Sequence, residues 1–374
     1  MLNKKRTICF SLESRATYGY AKNVLRAFKN FDKLCYRTIV TGGHLSKKYG
    51  YSITEIMNDN IRVDEKISFN APKRRGGWSY AMGKAISKIS ISLEKINPDI
   101  VLIFGDRIET LSVCLAAVYM NIPIAHVQAG DKSGHIDDSA RYAIAKLSHI
   151  HFASCDDSKK RLIRLGEEKF RIFNTGAPQL DNIMNDAKNN QLIDKKLKEF
   201  ISTKFILVLF HPVLNEKNKA GEYMKNILES CLSLNKNIIC IFPNTDVGSE
   251  LILESIEKIK SPMLRIFSNV KRELFLFLLK KCFLLIGNSS AGILEAPSFK
   301  KPVINIGIRQ RGRPQADNII NSDYKKDEIK KALNYVCNNK IFAKKCKTVK
   351  NLYGDGKSAQ RICNILNKIS IDDK

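Results

Sequence analysis

The sequence predicts an α/β protein made of two Rossmann-like domains facing a cleft. Three observations carry this. Short apolar, β-leaning runs alternate with amphipathic helical stretches along nearly the whole chain, as in βα units laid on a parallel sheet. The run IVLIF at residues 100–104 is apolar throughout, as a central parallel strand covered on both faces must be. The alternation also breaks at a polar stretch between 178 and 204 and then restarts. A chain of 374 residues suits two domains better than one. The expected domains are residues 1–178 and 179–355, and a last helix at 356–374 crosses back to the first.

In order, TICFSL at 7–12 is the first strand. The segment ESRATYGYAKNVLRAF follows as loop and helix, with Val24, Leu25 and Phe28 on its apolar face. No GxGxxG follows that strand, so a dinucleotide fingerprint is absent. YRTIVT at 36–41 is the second strand and ends in GGHL, where glycines allow close backbone approach and His44 sits on the turn. Residues 61–69 read as another strand, and the basic loop PKRRGG at 72–77 as a candidate lid. A long helix covers about 78–96. After strand 100–104, Glu109 opens a helix, Pro123 opens the strand IPIAHV, and QAGDKSGHIDD is a turn-rich loop. Asp137, Asp138 or Ser139 is expected to cap the helix SARYAIAK. His149 and His151 flank the next strand and read as structural. One more helix and strand end at Pro178.

Residues 179–203 read as a polar linker with an entry helix. Strands then fall at 205–210, at IICIFPN, LRIFS and FLLIG, and at KPVINI, with helices between them. The segment GNSSAGILEAPSF places Ser289 and Ser290 at the start of a short helix closed by Pro297. Free N–H groups and hydroxyls there suit a phosphate, although plain capping explains the serines equally well. Glu295 lies further along, where a carboxylate could accept ribose hydroxyls. The loop GIRQRGRP adds three arginines that packing explains poorly. DEIKKALNYVCN and SAQRICNILNKI are the closing helices.

Composition bounds the function. The hydrophobic content is 44% and the charged content 27%, ordinary for a globular chain. The formal net charge of +26 fits a nucleic-acid surface or polyanionic small substrates. Lysines fall mostly on the polar faces of helices, and no aromatic-and-basic stacking pattern appears, so no nucleic-acid partner is expected. The ten cysteines show no CxxC and no zinc spacing, and most lie in apolar runs. They read as reduced core thiols of a cytoplasmic protein with no metal and no cofactor. The most apolar segment is cut by Lys280 and Lys281, so no membrane span is expected.

The chemistry concentrates at strand ends. Asp106, Arg107, Glu109, His126, Asp131, Asp137 and Asp138 all follow apolar runs directly. In an open α/β sheet, that edge is where ligands bind. Arg15 sits near a helix N-terminus, where paired donors can hold a phosphate; taken alone, it reads equally as a surface arginine.

The segments SRATYG, TGGHL, GDR, HVQAGDKSGHIDDSARYAIAKLSHIHF, TGAPQLD, HPV, FPN, GNSSAGILEAPSF and PVINIGIRQRGRPQADNII, in this order, resemble the hydrolysing UDP-N-acetylglucosamine 2-epimerases. The resemblance covers nearly the whole chain. It implies the glycosyltransferase B architecture, a UDP-sugar substrate and a homo-dimer or tetramer. The implied reaction converts a UDP-2-acetamido sugar to UDP and a free 2-epimer of the N-acetylmannosamine type, as in sialic and related nonulosonic acid synthesis. It also implies that Arg15, His44, Ser289, Ser290 and Glu295 hold UDP, with Arg309 and Arg313 behind them. Asp106, Arg107, His126, Asp137 and His211 would surround the sugar.

Several members of the family have Glu where this chain has Gln128, and an amide cannot serve as a general base. Asp106, Asp137 or Asp131 would then carry that role, or Gln128 marks a subgroup acting on UDP-N,N′-diacetylbacillosamine. Three alternatives remain at the sequence level: a UDP-sugar glycosyltransferase of the same fold, a non-hydrolysing epimerase, and a basic nucleic-acid-binding protein.

Overall fold

The structure, a computed structural model, describes residues 5–46, 51–132, 137–188, 193–243, 247–268 and 270–371. The chain divides into two units, Met1–Asp181 with Tyr353–Lys374, and Asn182–Leu352. Strands of the first unit are β1 (Arg6–Leu12), β2 (Leu34–Thr41), β3 (Glu65–Ile67), β4 (Ile100–Phe104), β5 (Ile124–Ala129), β6 (Ile150–Ala153) and β7 (Ile172–Asn174). Its helices are α1 (Arg15–Phe28), α2 (Ile53–Asn58), α3 (Gly77–Ile96), α4 (Ile108–Tyr119), α5 (Asp137–Leu147) and α6 (Asp156–Arg164). The second unit runs α7 (Ile183–Asp186), α8 (Lys195–Phe200), β8 (Phe205–Leu209), α9 (Ala220–Leu232), β9 (Asn237–Ile241), α10 (Ser249–Lys258), β10 (Leu264–Phe267) and α11 (Arg272–Lys281). It continues through β11 (Leu284–Gly287), α12 (Ser290–Leu294), β12 (Val303–Ile306), β13 (Ile319–Ser322), α13 (Lys326–Asn338) and α14 (Lys340–Thr348). Helix α15 (Ser358–Lys368) closes the chain.

Each unit is a doubly wound parallel sheet. The first has strand order β3-β2-β1-β4-β5-β6-β7 and the second β10-β9-β8-β11-β12-β13. Side chains on β1 show how each face is used. Ile8, Phe10 and Leu12 point into a core with Val24 and Leu25 of α1 and Ile362 and Leu366 of α15. Cys9 points the other way, into a core with Ile89 of α3 and Val113 of α4. This is the alternation a strand imposes when helices cover both faces. In the second unit, Ile206 and Val208 of β8 pack with Met224 and Leu228 of α9 and with Leu333 of α13.

The return of α15 to the first unit has specific fastenings. Both carboxylate oxygens of Asp181 cap its start, accepting from Ser358 N at 3.0 Å and Ala359 N at 2.6 Å. Ser358 Oγ donates to Gly176 O at 2.8 Å, and Ala177 N donates to Tyr353 O at 2.7 Å. These bonds satisfy orphan donors at a buried helix terminus.

Two local expectations are corrected. Only Glu65–Ile67 of residues 61–69 forms a strand, pairing with β2 at the sheet margin. The 72–77 loop folds as tight turns onto α3, with Arg74 N donating to Pro72 O at 2.8 Å and the Arg74 guanidinium 5.1 Å from the Tyr80 ring centre. The expected cap of α5 (Asp137–Leu147) at Asp137, Asp138 or Ser139 adjoins residues 133–136 and involves side chains outside the described residues. The ten cysteines are free thiols, eight of them buried. Among the described residues, no helix is long and apolar enough to cross a membrane.

Candidate functional site

All strand pairs are parallel, so the C-terminal ends of each sheet share one edge. In doubly wound sheets the ligand crevice opens where the strand order reverses. That point lies between β1 and β4 in the first sheet and between β8 and β11 in the second.

At the first switch point, β1 runs into Glu13, Ser14 and Arg15, and β4 into Gly105, Asp106 and Arg107. Ser14 caps α1 through a capping box with Thr17. Arg15 is exposed and pairs with Glu55 of α2 at 2.7 Å. Arg107 grips Glu109 with two donors, Nε to Oε2 at 3.2 Å and Nη2 to Oε1 at 3.1 Å. Glu109 is buried, whereas the arginine side chain stays 47% exposed. The guanidinium is thus held from behind and presented outward.

Asp106 is organised by a residue the sequence did not single out. Arg141, on α5, is 5% exposed, and its Nη2 donates to Asp106 Oδ2. The spacing of SARYAIAK gives this arginine no distinction, because its partner is 35 positions away. The side chains of Asp137 and Asp138 lie outside the described residues, as do residues 133–136.

Other expected contacts are relocated by burial. His126 is fully buried in β5, with Nε2 2.7 Å from Gly105 O. Burial pushes its imidazole down to about 3, so the neutral ring donates to that carbonyl and braces the GDR turn from within. It therefore positions the loop and does not line the sugar. His44 is also fully buried, bonded through Nδ1 to Ser52 Oγ at 2.8 Å, and burial lowers it to about 4. It cannot present a charge to a diphosphate. Asp131 Oδ1 accepts from Ser158 Oγ at 2.7 Å and from Ser154 Oγ. That oxygen ties the β5 loop to the start of α6. Gln128 stands at a register shift between β5 and β6, 6% exposed and in the left-handed region at φ 63°. A non-glycine residue held there is a strained position of the kind that clusters at functional edges.

The second switch point is organised by Asn288, also missed in the sequence because GNSS reads as an ordinary turn. Asn288 is fully buried. Its Oδ1 accepts from His211 N at 2.7 Å and its Nδ2 donates to His211 O at 2.8 Å. Its own carbonyl accepts from Gln310 Nε2 at 2.9 Å and Arg309 Nη1 at 3.3 Å. One asparagine thereby fixes the ends of β8 and β11 and the loop after β12. Gly287 makes this approach possible: its φ is 140°, and a Cβ there would lie 2.1 Å from Leu209 O. Ser289 caps α12, accepting from Ala291 N at 3.3 Å, and Ser290 is its first residue. With only five residues, α12 offers free N–H groups and hydroxyls more than a summed dipole. Glu295 ends it, 7% exposed, and accepts from Arg272 Nη1 at 2.9 Å. Arg313 lies in the loop after β12, its N donating to Gln310 O at 3.2 Å.

Two parallel sheets with polar side chains gathered at their switch points define an α/β ligand-binding protein of the Rossmann-like class. More narrowly, the chain belongs to the UDP-N-acetylglucosamine 2-epimerase family, which residues 26–367 match. It is 36% identical over 370 residues to the UDP-N,N′-diacetylbacillosamine 2-epimerase (hydrolyzing) of Legionella pneumophila, covering 98% of this chain and 97% of that one. It is 37% identical to the GDP/UDP-N,N′-diacetylbacillosamine 2-epimerase (hydrolyzing) of Campylobacter jejuni, over 85% of each chain. It is 33% identical to a UDP-N-acetylglucosamine 2-epimerase of Neisseria meningitidis serogroup B, over 89% of this chain and 88% of that one. The fold matches the UDP-GlcNAc 2-epimerase from Neisseria meningitidis bound to UDP-GlcNAc with a TM-score of 0.80 at 20% identity, covering 97% of this chain and 100% of that one.

Proposed function

We propose that the protein is a hydrolysing 2-epimerase of a UDP-2-acetamido sugar, releasing UDP and the free 2-epimer. The observation that carries this is the acid–guanidinium assembly at the first switch point, where Arg141 orients Asp106 and Glu109 orients Arg107. Proton transfer at carbon needs a carboxylate held in one geometry. Departure of a diphosphate needs cationic donors aimed at the developing charge.

In the proposed reaction, a carboxylate removes the proton from C2 as the C1–O bond to UDP breaks, leaving a C1=C2 glycal and UDP. Water then adds its oxygen to C1, and a proton returns to C2 on the opposite face. Asp106 and Asp137 are the proposed proton carriers. Arg15, with Ser289 and Ser290 and with Arg309 and Arg313 behind them, stabilises the diphosphate, Glu295 takes the ribose, and Arg107 stands beside the sugar at the departing C1–O bond. His211 lies on the sugar side.

For the sugar itself, UDP-N-acetylglucosamine is one reading. The second, UDP-N,N′-diacetylbacillosamine, is favoured by the names of the Legionella and Campylobacter relatives. The test is incubation with each nucleotide sugar in deuterated water. UDP release with deuterium at C2 of the free sugar is expected. Release without label overturns the elimination route. A 2-epimer still attached to UDP makes the enzyme non-hydrolysing, and release only with an added acceptor makes it a transferase.

A further inference from the structure

Tyr324 follows β13 and is buried, 7% exposed. Its ring stacks on that of Tyr223 of α9, with centres 3.8 Å apart and planes inclined by 8°, and stands edge-on to Phe210 at 6.4 Å. These rings fix the side chain, and its hydroxyl falls between two loops of the second switch point. It accepts from Ile308 N at 3.3 Å and donates to Glu216 Oε2. Ile308 stands at the start of the loop after β12 that carries Arg309, Gln310 and Arg313. Glu216 lies in the 3-10 segment Leu214–Lys219, which follows His211 after β8. Gly307 admits the ring: its φ is 71°, and a Cβ there would lie 2.0 Å from Tyr324 Cζ.

A phenylalanine would keep the same ring contacts, so packing alone does not call for the oxygen. A buried hydroxyl needs partners, and both partners here are groups of the loops. Asn288 joins the same two loops at the strand ends, through His211 on one and Arg309 and Gln310 on the other. The hydroxyl is a second tie between them, beside α9.

We propose that Tyr324 is a positioning residue for the diphosphate: its hydroxyl locks the loop after β12 to the loop after β8, so that Arg309 is held ready and little ordering is left to pay on binding. This rests on reading Arg309 as part of the diphosphate site.

The experiment measures UDP affinity by titration calorimetry, with a melting curve for each protein, for the wild type, Tyr324→Phe, Glu216→Gln, Glu216→Ala and Arg309→Gln. Tyr324→Phe keeps the rings and removes the tie. It should bind UDP about tenfold more weakly, the effect of losing one hydrogen bond to a charged acceptor. Both Glu216 substitutions remove the charge, but only glutamine keeps an oxygen for the hydroxyl. Glu216→Gln should therefore stay within about threefold of the wild type, and Glu216→Ala should fall about tenfold. Adding Glu216→Ala to Tyr324→Phe should weaken binding no further, because the two residues act through one tie. Arg309→Gln should bind UDP weakly.

A merely structural tyrosine would lower the melting temperature and leave UDP affinity unchanged. That result for Tyr324→Phe, beside a weakened Arg309→Gln, overturns the inference alone. Equal affinities for Glu216→Gln and Glu216→Ala also overturn it, and this comparison decides the matter if Tyr324→Phe does not fold. An Arg309→Gln variant with full UDP affinity overturns the reading of Arg309 instead.

Discussion

Replacing Arg141 by Met should damage the first unit more than its conservative volume suggests. The guanidinium is 5% exposed and the Asp106 side chain 18%, so removing the arginine strands a carboxylate that has little access to water. Breaking a buried pair from one side costs about 3 kcal/mol, taking the low end of the range because Asp106 keeps some solvent. For a unit of this size that corresponds to a fall in Tm of about 6–12 °C. The probe is built in: Trp78, the single tryptophan, lies in the first unit with its ring 6.1 Å from that of Phe69. Thermal denaturation followed by its fluorescence reads that unit. Adding Asp106→Asn removes the stranded charge, and the double variant should recover about 1–3 kcal/mol while remaining inactive. An Arg141→Met variant melting within about 2 °C of the wild type, or a double variant that recovers nothing, refutes the reasoning.

Asp137→Asn should abolish UDP release while leaving UDP affinity within about threefold, as expected when an interaction made only in the transition state is lost; near-normal turnover removes Asp137 from the mechanism. Asn288→Ala forfeits both side-chain bonds to the His211 backbone. It should cost about 2 kcal/mol in the second unit and weaken UDP binding, with the Trp78 transition unmoved; unchanged UDP affinity contradicts its organising role. Acid should destabilise the first unit before its carboxylates titrate. Burial depresses His44 and His151 to about 4 and His126 to about 3, below the ordinary 6.5. The unfolded chain therefore takes up these protons first, so the stability is complete above pH 6.5 and drains away toward pH 4. Melting temperatures that stay flat from pH 7 to 4.5 rule this out.

What the sequence revealed follows from which interactions are local. Central strands were legible because burial on both faces makes them continuously apolar, and the loops after them announced the ligand edge. Two of the four marginal strands were less so: β13 is the short, half-polar IINS, and β3 keeps only three residues, whereas β7 and β10, also with one neighbour each, carry enough apolar residues to be read. Residue types at the site were legible, but not their orientation. His44 and His126 stand in loop and strand contexts that leave burial undecided until the sheet is assembled. Asp131 has the chemistry of a base, and its Oδ1 accepts from Ser154, just past β6, and from Ser158, on α6, partners its own loop does not announce. Arg141 and Asn288 carry no local signal, because each is defined by partners across the fold.

The same assembly shows why charge at a site cannot be read from charge on a chain. The protein carries a net +26, yet the first switch point sets Glu13, Asp106 and Glu109 against Arg107 and Arg141. Three acids against two guanidiniums make this edge locally acidic, and low-dielectric surroundings magnify such an imbalance. Glu13 is fully buried, and its Oε2 has no hydrogen-bond partner. A surface rich in lysine concentrates anions around the protein, but at the strand ends each guanidinium is already matched by a carboxylate, Arg107 by Glu109 and Arg141 by Asp106.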